Sequence, residues 1–319
     1  MSTPTTVIAN DIVSTPTPVV SVSPVVLPAP GRPVELRVRI SAPMTGRELP
    51  IILLSHGHGN TSYLSSLIGC APLADFWAAR GFVVIQPTHL DSSTVNVDRN
   101  GPEGSLFWRS RVEDMRRILD QFDRIEAAVP GLGGRLDRSR IAVAGYSLGG
   151  HTAAMLLGMR ATDPHDGTAV DLAEPRIKAG LLLAAPGRGA DLTAAAAQRF
   201  PFLKDSSFAK MTTSALVVVG DKDVNPNFTA RGDWRADAYF LSPDPKSLLT
   251  LFGAEHSLGG VSGYDAAETT DENPERVALI QRLTWAYLRS ALYPADLSWP
   301  AASAALMQHA DPPGRIESK

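Results

Sequence analysis

Short, uninterrupted apolar runs alternate with segments of helical periodicity over most of this chain, and this alternation limits the folds open to it. Each run has the length and composition of a strand that is buried on both faces. The runs are PIILLSHG, FVVIQP, RIAVAGYS, KAGLLLAAP, SALVVVGD and SLLTLFGAEH. Strands that alternate with helices predict an α/β fold with a mostly parallel central sheet and helices on both faces. The C-terminal ends of the parallel strands then lie at one edge of the sheet, where such folds place their sites.

Four segments between and after these runs are predicted to be helical. The first, over residues 63–81, contains Pro72 as a break or kink and ends at Gly81. The second, over residues 111–129, has apolar side chains at helical spacing and is stopped by Pro130. The other two cover residues 148–159 and 273–292.

The 319 residues divide into an arm, one large domain and a tail. The first 50 residues hold 9 of the 25 prolines, which argues against a helix there. An extended arm is therefore predicted over residues 1–32, followed by early edge strands. The domain is expected over residues 33–292, since single α/β domains reach this size. Residues 293–319 are expected to form a C-terminal tail.

Charge and composition exclude several classes of protein. A net charge of −3 gives no basic surface for nucleic acid, so the expected partner is a small molecule. No apolar run approaches the roughly 20 residues of a membrane span. The single cysteine, Cys70, cannot form an internal disulfide, and the first positive side chain is Arg32, so the charged start of a secretory signal is missing. We therefore expect a cytoplasmic protein; the sequence does not indicate its oligomeric state.

The segment GYSLG, Gly145–Gly149, matches the pattern G-x-S-x-G and lies between a predicted strand and a predicted helix. Such a turn is sharp, so the residues two positions before and after the serine must lack bulk. The turn lifts the serine hydroxyl off the sheet edge, and the helix N-terminus below it favours negative charge. Ser147 is therefore the predicted nucleophile, with an ordinary glycine-rich turn as the alternative.

A serine nucleophile needs a base, and the base needs a carboxylate that orients it. The tetrapeptide SLGG occurs a second time directly after His256, which follows a predicted strand at the same sheet edge as Ser147. His256 is the predicted base, and Ser257 is not expected to be a nucleophile because no glycine lies two residues before it. The acid is Asp223 or Asp221, at the end of SALVVVGDKD. We favour Asp223, which lies further past the strand, because Asp221 follows the strand directly and suits a turn cap.

The negative charge that develops on an attacked carbonyl oxygen needs hydrogen-bond donors, which form an oxyanion hole. The backbone N–H of Leu148, the residue after the nucleophile, is the first expected donor. The second is expected from the loop LLSHGHGN, which follows an earlier strand, and the N–H of His58 is the predicted group. His56 and His58 could instead form a pair of metal ligands, but no further acidic or histidine ligand follows at close spacing. The prediction is a site with no metal and no cofactor.

These motifs resemble those of α/β-hydrolases, in the branch of chlorophyllases, platelet-activating-factor acetylhydrolases and dienelactone-hydrolase-like esterases. The resemblance covers residues 33–292, through ILLSHGHGNTSYLSSLIGCAPLADFWAARGFVVIQPTHLD, GYSLGG, VVVGDKD and GAEHS. It implies an α/β-hydrolase fold. It also assigns the nucleophile, acid and base to Ser147, Asp223 and His256, with the N–H of His58 in the oxyanion hole.

The resemblance implies a serine hydrolase that cleaves carboxylic esters through an acyl-serine intermediate. Lactone hydrolysis or acyl transfer on the same triad is an alternative. A catalytically silent, ligand-binding protein is another, but such a protein is expected to have lost a triad member. The lipase-type HGGG motif is absent, as are the signal peptide and disulfides of secreted members of the branch. These departures argue against secreted polyester or lipoprotein substrates.

The sequence constrains the substrate pocket least. His89 follows a strand, Trp108 lies on a loop near a strand end, and Tyr264 lies in the loop after the predicted base. Each is a candidate for the pocket, with ordinary packing at the rim, or a solvated loop for Tyr264, as the alternative. Residues 161–175 and 187–211 lie on the same side of the sheet and are expected to be small inserts that form a partial lid.

Overall fold

The structure, a computed structural model, describes residues 14–59, 61–263 and 266–319. The strands of this part are β1 (Val19–Leu27), β2 (Leu36–Pro43), β3 (Leu49–Ser55), β4 (Val83–Pro87), β5 (Leu136–Tyr146), β6 (Arg160–Thr162), β7 (Ala169–Asp171), β8 (Ile177–Leu183), β9 (Ala215–Gly220), β10 (Lys246–Leu251) and β11 (Gly314–Ser318). Its helices are α1 (Ala71–Ala78), α2 (Trp108–Leu119), α3 (Phe122–Ala128), α4 (Leu148–Leu156), α5 (Ala194–Arg199), α6 (Asp237–Phe240), α7 (Pro274–Leu292) and α8 (Ser298–Met307).

Within the described residues, nine strands form one sheet in the order β1-β2-β4-β3-β5-β8-β9-β10-β11, and β6 pairs with β7 apart from it. The six central strands, from β4 to β10 in this order, are parallel to one another. Strands β1, β2 and β11 add antiparallel pairs at the two sides. Every residue of β3, β4 and β9 is buried, as expected for strands covered on both faces. The predicted α/β fold with a mostly parallel central sheet is confirmed at this level.

Alternate side chains of β3 enter two separate apolar cores, because successive residues of a strand point to opposite faces. Ile51 and Leu53 pack in a core with side chains of α2, α3 and α4. Ile52 and Leu54 pack in the other core, with side chains of α1 and α7. Helices therefore cover both faces of the sheet. Among the described residues, none of these helices is long and apolar enough to cross a membrane.

Two predicted helices are corrected by the structure. Over residues 63–81 only α1 is helical, and Pro72 lies in its first turn, where the missing N–H of proline has no intrahelical acceptor to lose. The prediction of one helix over residues 111–129 is also wrong, because the chain forms α2 and α3 there. Gln121 lies between them with φ −127°, and its side chain donates to the backbone carbonyl of Pro28 at 3.0 Å.

Both ends of the described chain join the sheet. β1, which lies in the predicted N-terminal arm, pairs with β2 along its whole length apart from one irregularity. β11 pairs antiparallel with β10, and α8 packs against α7. Residues 293–319 therefore belong to the fold, which corrects the prediction of a tail. The segment GRIES of β11 is too short and too polar to indicate a strand by itself.

Candidate active site

Ser147 lies at the sharp turn between β5 and α4, with φ 53° and ψ −118°. This positive φ is uncommon for a residue with a side chain and stores about 1–3 kcal/mol of strain, which the surrounding structure must hold. The Ser147 N–H donates to the carbonyl of Leu183 on the neighbouring strand β8 at 2.8 Å. The turn is therefore anchored to the sheet through its backbone.

Glycine is required on both sides of Ser147 by the close approach of other backbone groups. A Cβ atom added at Gly145 would overlap the carbonyl of Gly149. A Cβ atom at Gly149 would overlap the carbonyl of Ser55, at the end of β3. The steric reason for the G-x-S-x-G pattern is therefore present in the contacts of this turn.

His256 lies between Ser147 and Asp223 and is within hydrogen-bond distance of both. Its Nε2 is 2.9 Å from Ser147 Oγ, and its Nδ1 is 2.8 Å from Asp223 Oδ2. Asp223 follows β9 and His256 follows β10, so both lie beyond the C-terminal ends of neighbouring parallel strands. An ionised Asp223 can only accept, so Nδ1 carries the proton and Nε2 is free to accept from the serine hydroxyl.

The other two groups considered at the sequence level are engaged elsewhere. Asp221 is exposed, and its Oδ1 accepts from the N–H of Gly253 at 2.7 Å, which links the loops after β9 and β10. Ser257 is buried, and its hydroxyl donates to the carbonyl of Glu268 at 3.0 Å. The structure therefore brings together Ser147, Asp223 and His256 and places both alternatives in loop contacts.

Arg235 is a member of the site that no sequence pattern indicates. Its Nε lies 2.5 Å from Asp223 Oδ2, and its Nη1 donates to the carbonyl of Ala184 at 2.9 Å. Burial opposes the ionisation of Asp223, but the hydrogen bond from His256 and the charge of Arg235 outweigh it and lower the pKa of the carboxyl. Burial and the charge of Arg235 lower the pKa of His256, although Asp223 acts in the opposite direction. The lowered pKa favours the neutral imidazole, which is the form that acts as a base.

The loop that carries His256 is fixed by contacts on two sides. The hydroxyl of Tyr146, the residue before the nucleophile, donates to the carbonyl of His256 at 3.1 Å. On the other side, Asp271 Oδ2 accepts from the N–H groups of Glu255 and Gly259 at 2.8 and 3.1 Å. These bonds hold the imidazole in place through the backbone on either side of it.

The two predicted oxyanion-hole residues, His58 and Leu148, both line the cavity that contains Ser147. Leu148 is the first residue of α4, so its N–H has no acceptor within the helix. Among the described residues, no backbone carbonyl accepts from the N–H of His58. Both amides are therefore available to a ligand.

A buried pair of charges lies behind the His58 loop. The ring of His58 contacts Asp91, with 3.0 Å between Nδ1 and Oδ2. Arg111 donates to Asp91 and also to the carbonyl of His56, and the side chains of Asp91 and Arg111 are both inaccessible to solvent. Although burial opposes ionisation of Asp91, the charge of Arg111 holds the pKa of that carboxyl well below its usual range. The sequence gives no sign of this pair, because the two residues are far from the loop along the chain.

His56 and His58 do not share a ligand position. His56 Nδ1 lies 2.7 Å from the carbonyl of Gly57, and His56 Nε2 accepts from the N–H of His89 at 3.1 Å. The His58 ring is directed to Asp91 instead. In the part of the chain that the structure describes, no cluster of three or more His, Cys, Asp or Glu side chains could hold a metal ion.

The prediction that His89 lines the substrate pocket is corrected by the structure. Its side chain is fully buried, with Nε2 3.0 Å from Ser55 Oγ and Nδ1 3.0 Å from Asp114 Oδ2. Trp108 is also buried and packs behind Phe202, with ring centroids 6.1 Å apart and an interplanar angle of 6°. Trp108 therefore supports the pocket wall without forming its surface. Tyr264 lies outside the described residues.

A cavity of about 340 Å³ opens beside Ser147 and His256. Much of its wall is apolar and includes Leu106, Leu148, Pro186, Phe200, Phe202, Leu203, Val224, Phe228 and Trp234. Of the two inserts predicted as a partial lid, residues 187–211 contribute to this wall. Residues 161–175 contain most of the β6–β7 hairpin, and none of their side chains lines the cavity.

Comparisons with known proteins do not identify a family for this chain. No protein-family model matches the chain, and no curated protein matches it in sequence. What the site can do therefore follows from its own residues. A serine hydroxyl that can pass its proton to a neutral imidazole, with an ionised carboxylate behind that imidazole, can attack an electrophilic carbon.

Proposed function

We propose that this protein is a serine hydrolase that cleaves carboxylic esters, with Ser147 as nucleophile, His256 as base and Asp223 as orienting acid. The observation that carries the proposal is the continuous chain from Ser147 Oγ through His256 to Asp223, with distances of 2.9 and 2.8 Å. Both Ser147 and His256 face a largely apolar cavity, as a carbon-rich ester requires.

The reaction runs in two halves on these residues. Ser147 Oγ attacks the carbonyl carbon while its proton passes to Nε2 of His256, and the amides of His58 and Leu148 hold the resulting oxyanion. His256 then gives the proton to the alcohol oxygen as the C–O bond breaks, which leaves an acyl-serine. Water repeats the sequence, with His256 as base, and releases the carboxylic acid and the serine hydroxyl. Asp223 keeps its charge throughout and holds the imidazole orientation.

We also propose that the chain has the α/β-hydrolase fold. The mostly parallel sheet and the order of nucleophile, acid and base along the sequence support this assignment. So does the placement of Ser147, Asp223 and His256 after the C-terminal ends of β5, β9 and β10. All three residues are present and hydrogen-bonded to one another, which favours catalysis over a silent ligand-binding role.

Labelling with a fluorophosphonate tests the proposal directly, because this probe phosphonylates a serine hydroxyl only where a base activates it. We expect the wild-type protein to be labelled at Ser147, as located by peptide mapping, and to hydrolyse simple esters. The control is the variant Ser66→Ala, which changes a serine outside the site and is expected to be labelled at Ser147 as fully as the wild type. Labelling at Ser257, or no labelling together with no ester hydrolysis, would overturn the assignment.

A further inference from the structure

Two segments of the chain meet to form the aromatic wall of the cavity beside Ser147. Phe200, from the insert over residues 187–211, stacks on Phe228, with ring centroids 5.2 Å apart and an interplanar angle of 12°. Phe228 is followed along the wall by Trp234, whose ring centroid lies 6.1 Å away. Aromatic side chains therefore form part of the wall of the cavity that also contains the nucleophile.

The two segments are fastened to each other, so this wall is formed in advance of any ligand. The N–H of Thr193 donates to the carbonyl of Phe228 at 2.8 Å. The guanidinium of Arg231 lies 2.5 Å from Asp191, in the insert, and 2.9 Å from Asp237 on its own side. A preformed pocket loses less conformational entropy on binding than one that must be ordered by its ligand.

The charged side chains at this cavity are already paired with other residues or lie at its exposed rim. Arg235 is paired with Asp223 of the proposed triad. Lys222 and Glu255 line the cavity but are exposed. A charged substituent deep among the aromatic rings would therefore lose hydration without gaining a partner, which is unfavourable.

The volume of the cavity limits the group that it can enclose. An apolar cavity of about 150 Å³ takes one benzene ring, so the 340 Å³ beside Ser147 can hold one ring together with a linker and the ester group. A phenyl ring with a short linker to the ester carbonyl or to the ester oxygen fits this space. A second linked ring would extend beyond this volume toward the open side of the cavity.

We propose that the preferred substrates are uncharged esters with a compact apolar group, such as a single phenyl ring, which packs against Phe200 and Phe228. This specificity rests on the proposed ester hydrolysis at Ser147 and adds the class of ester to it. The ring can belong to the acyl or to the alcohol half of the substrate, and the esters tested below distinguish the two.

The first experiment compares kcat/KM for the wild-type enzyme on five esters. These are ethyl acetate, ethyl 3-phenylpropanoate, benzyl acetate, ethyl 3-(biphenyl-4-yl)propanoate and the singly charged monoethyl succinate. We expect one of the two phenyl esters to exceed ethyl acetate by roughly 10- to 100-fold, the gain from burying one apolar ring, and that ester identifies the half bound in the cavity. Monoethyl succinate is expected to be the poorest substrate. A biphenyl ester better than the phenyl ester would overturn the size limit, and no preference for either phenyl ester would overturn the proposal.

The second experiment measures the ratio of kcat/KM for the preferred phenyl ester to that for ethyl acetate in wall variants. Phe228→Ala is expected to lower this ratio by about 10-fold, and Phe228→Leu, which keeps bulk but removes the flat ring, is the fallback if the alanine variant does not fold. The control Phe240→Ala removes an exposed ring that does not line the cavity and should leave the ratio unchanged. An unchanged ratio in the folded Phe228 variant would refute the proposed wall contact while ester hydrolysis stands. Absence of probe labelling at Ser147 in the wild-type protein would instead refute the serine hydrolase function on which the proposed wall contact rests.

Discussion

The turn that carries Ser147 and the loop that carries His58 follow paired strands of one sheet, yet they are held by different interactions. The turn after β5 is held by backbone groups that approach so closely that only glycine fits beside them. The loop after β3 is held by two side chains from elsewhere in the chain, Asp91 and Arg111, which bind the ring of His58 and the carbonyl of His56.

This difference determines what a mutation can do on each side. The turn is supported by backbone groups, and its reacting group is the single hydroxyl of Ser147. A substitution of this residue can therefore remove the reaction without disturbing the packing. The loop is supported by a pair of charged side chains without access to solvent. Removal of one member of such a pair strongly destabilises the fold, because the other charge stays buried without a partner. We therefore expect substitutions at the turn to change activity without changing stability, and substitutions at the loop to change both.

The largest effect is expected from Ser147→Ala. Turnover of an ester substrate should fall by about six orders of magnitude, as loss of a catalytic serine does in other serine hydrolases. The free energy of unfolding, measured by denaturant titration, should change by less than about 0.5 kcal/mol because only one hydroxyl is removed. A markedly destabilised variant would show that the turn, like the loop, couples its chemistry to its packing.

Asp223→Asn is expected to lower turnover by up to about 10⁴-fold. An amide can donate to Nδ1 of His256, which would leave the proton on Nε2, and that tautomer cannot accept from Ser147. The measurement is single-turnover acylation with an activated ester, with circular dichroism as the check that the fold is intact. Acylation at the wild-type rate would move the acid away from Asp223.

The parts of the site that the sequence predicted are those whose causes are local. Glycines on both sides of Ser147, and polar residues directly after buried strands, indicate the turn and the edge at which Asp223 and His256 lie. Strand ends do not give side-chain direction: His89 also follows a strand, but its ring points inward to Ser55 and Asp114. The position of Arg235 in the site depends on the course of the long segment between β9 and β10. The periodicity of apolar residues does not predict that course.

The same limit applies to the fold. The apolar runs predicted the parallel centre of the sheet, because strands buried on both faces must be apolar throughout. The sequence does not predict β11, because only one of its five residues is buried and the strand forms by pairing with β10. Pro72 predicts a break or kink in a helix, whereas it lies in the first turn of α1.

Arg111→Met tests the loop side of the comparison. It leaves the carboxylate of Asp91 buried without its main partner, so the free energy of unfolding should fall by about 3–5 kcal/mol. Turnover should fall as well, because Arg111 also donates to the carbonyl of His56, two residues before the predicted oxyanion donor. Denaturant unfolding and ester hydrolysis are measured on the same samples.

The exposed Arg124→Met serves as the control for Arg111→Met, with an expected change within about 0.5 kcal/mol. The double variant Asp91→Leu, Arg111→Met should recover part of the lost stability, since no unpaired charge is then buried. Full activity in a destabilised Arg111→Met would mean that the charge pair serves the fold alone, and the two sides of the site would then not differ in coupling.

Arg235→Met is expected to move the pH dependence of the reaction. The charge of Arg235 lowers the pKa of His256, so its removal should raise that pKa. Only the neutral imidazole acts as base, so kcat/KM falls as the pH drops through this pKa, and the fall should begin at a higher pH in the variant. A pH–rate profile on one ester measures the shift. A profile that does not move, or moves to lower pH, would show that Arg235 does not set the charge state of the base.

The smallest effect is expected from Asp221→Asn, two residues before the acid. The Oδ1 of Asp221 accepts from the N–H of Gly253, and the side-chain oxygen of asparagine can accept the same bond. Asp221→Ala removes the bond and should cost about 0.5–1.5 kcal/mol of stability, with turnover within about twofold of wild type, because the side chain does not reach His256. Both carboxylates follow the same strand, so this pair of variants isolates the contact with the imidazole as the source of the activity loss in Asp223→Asn. If Asp221→Asn instead lost more turnover than Asp223→Asn, the assignment of the acid would have to be reversed.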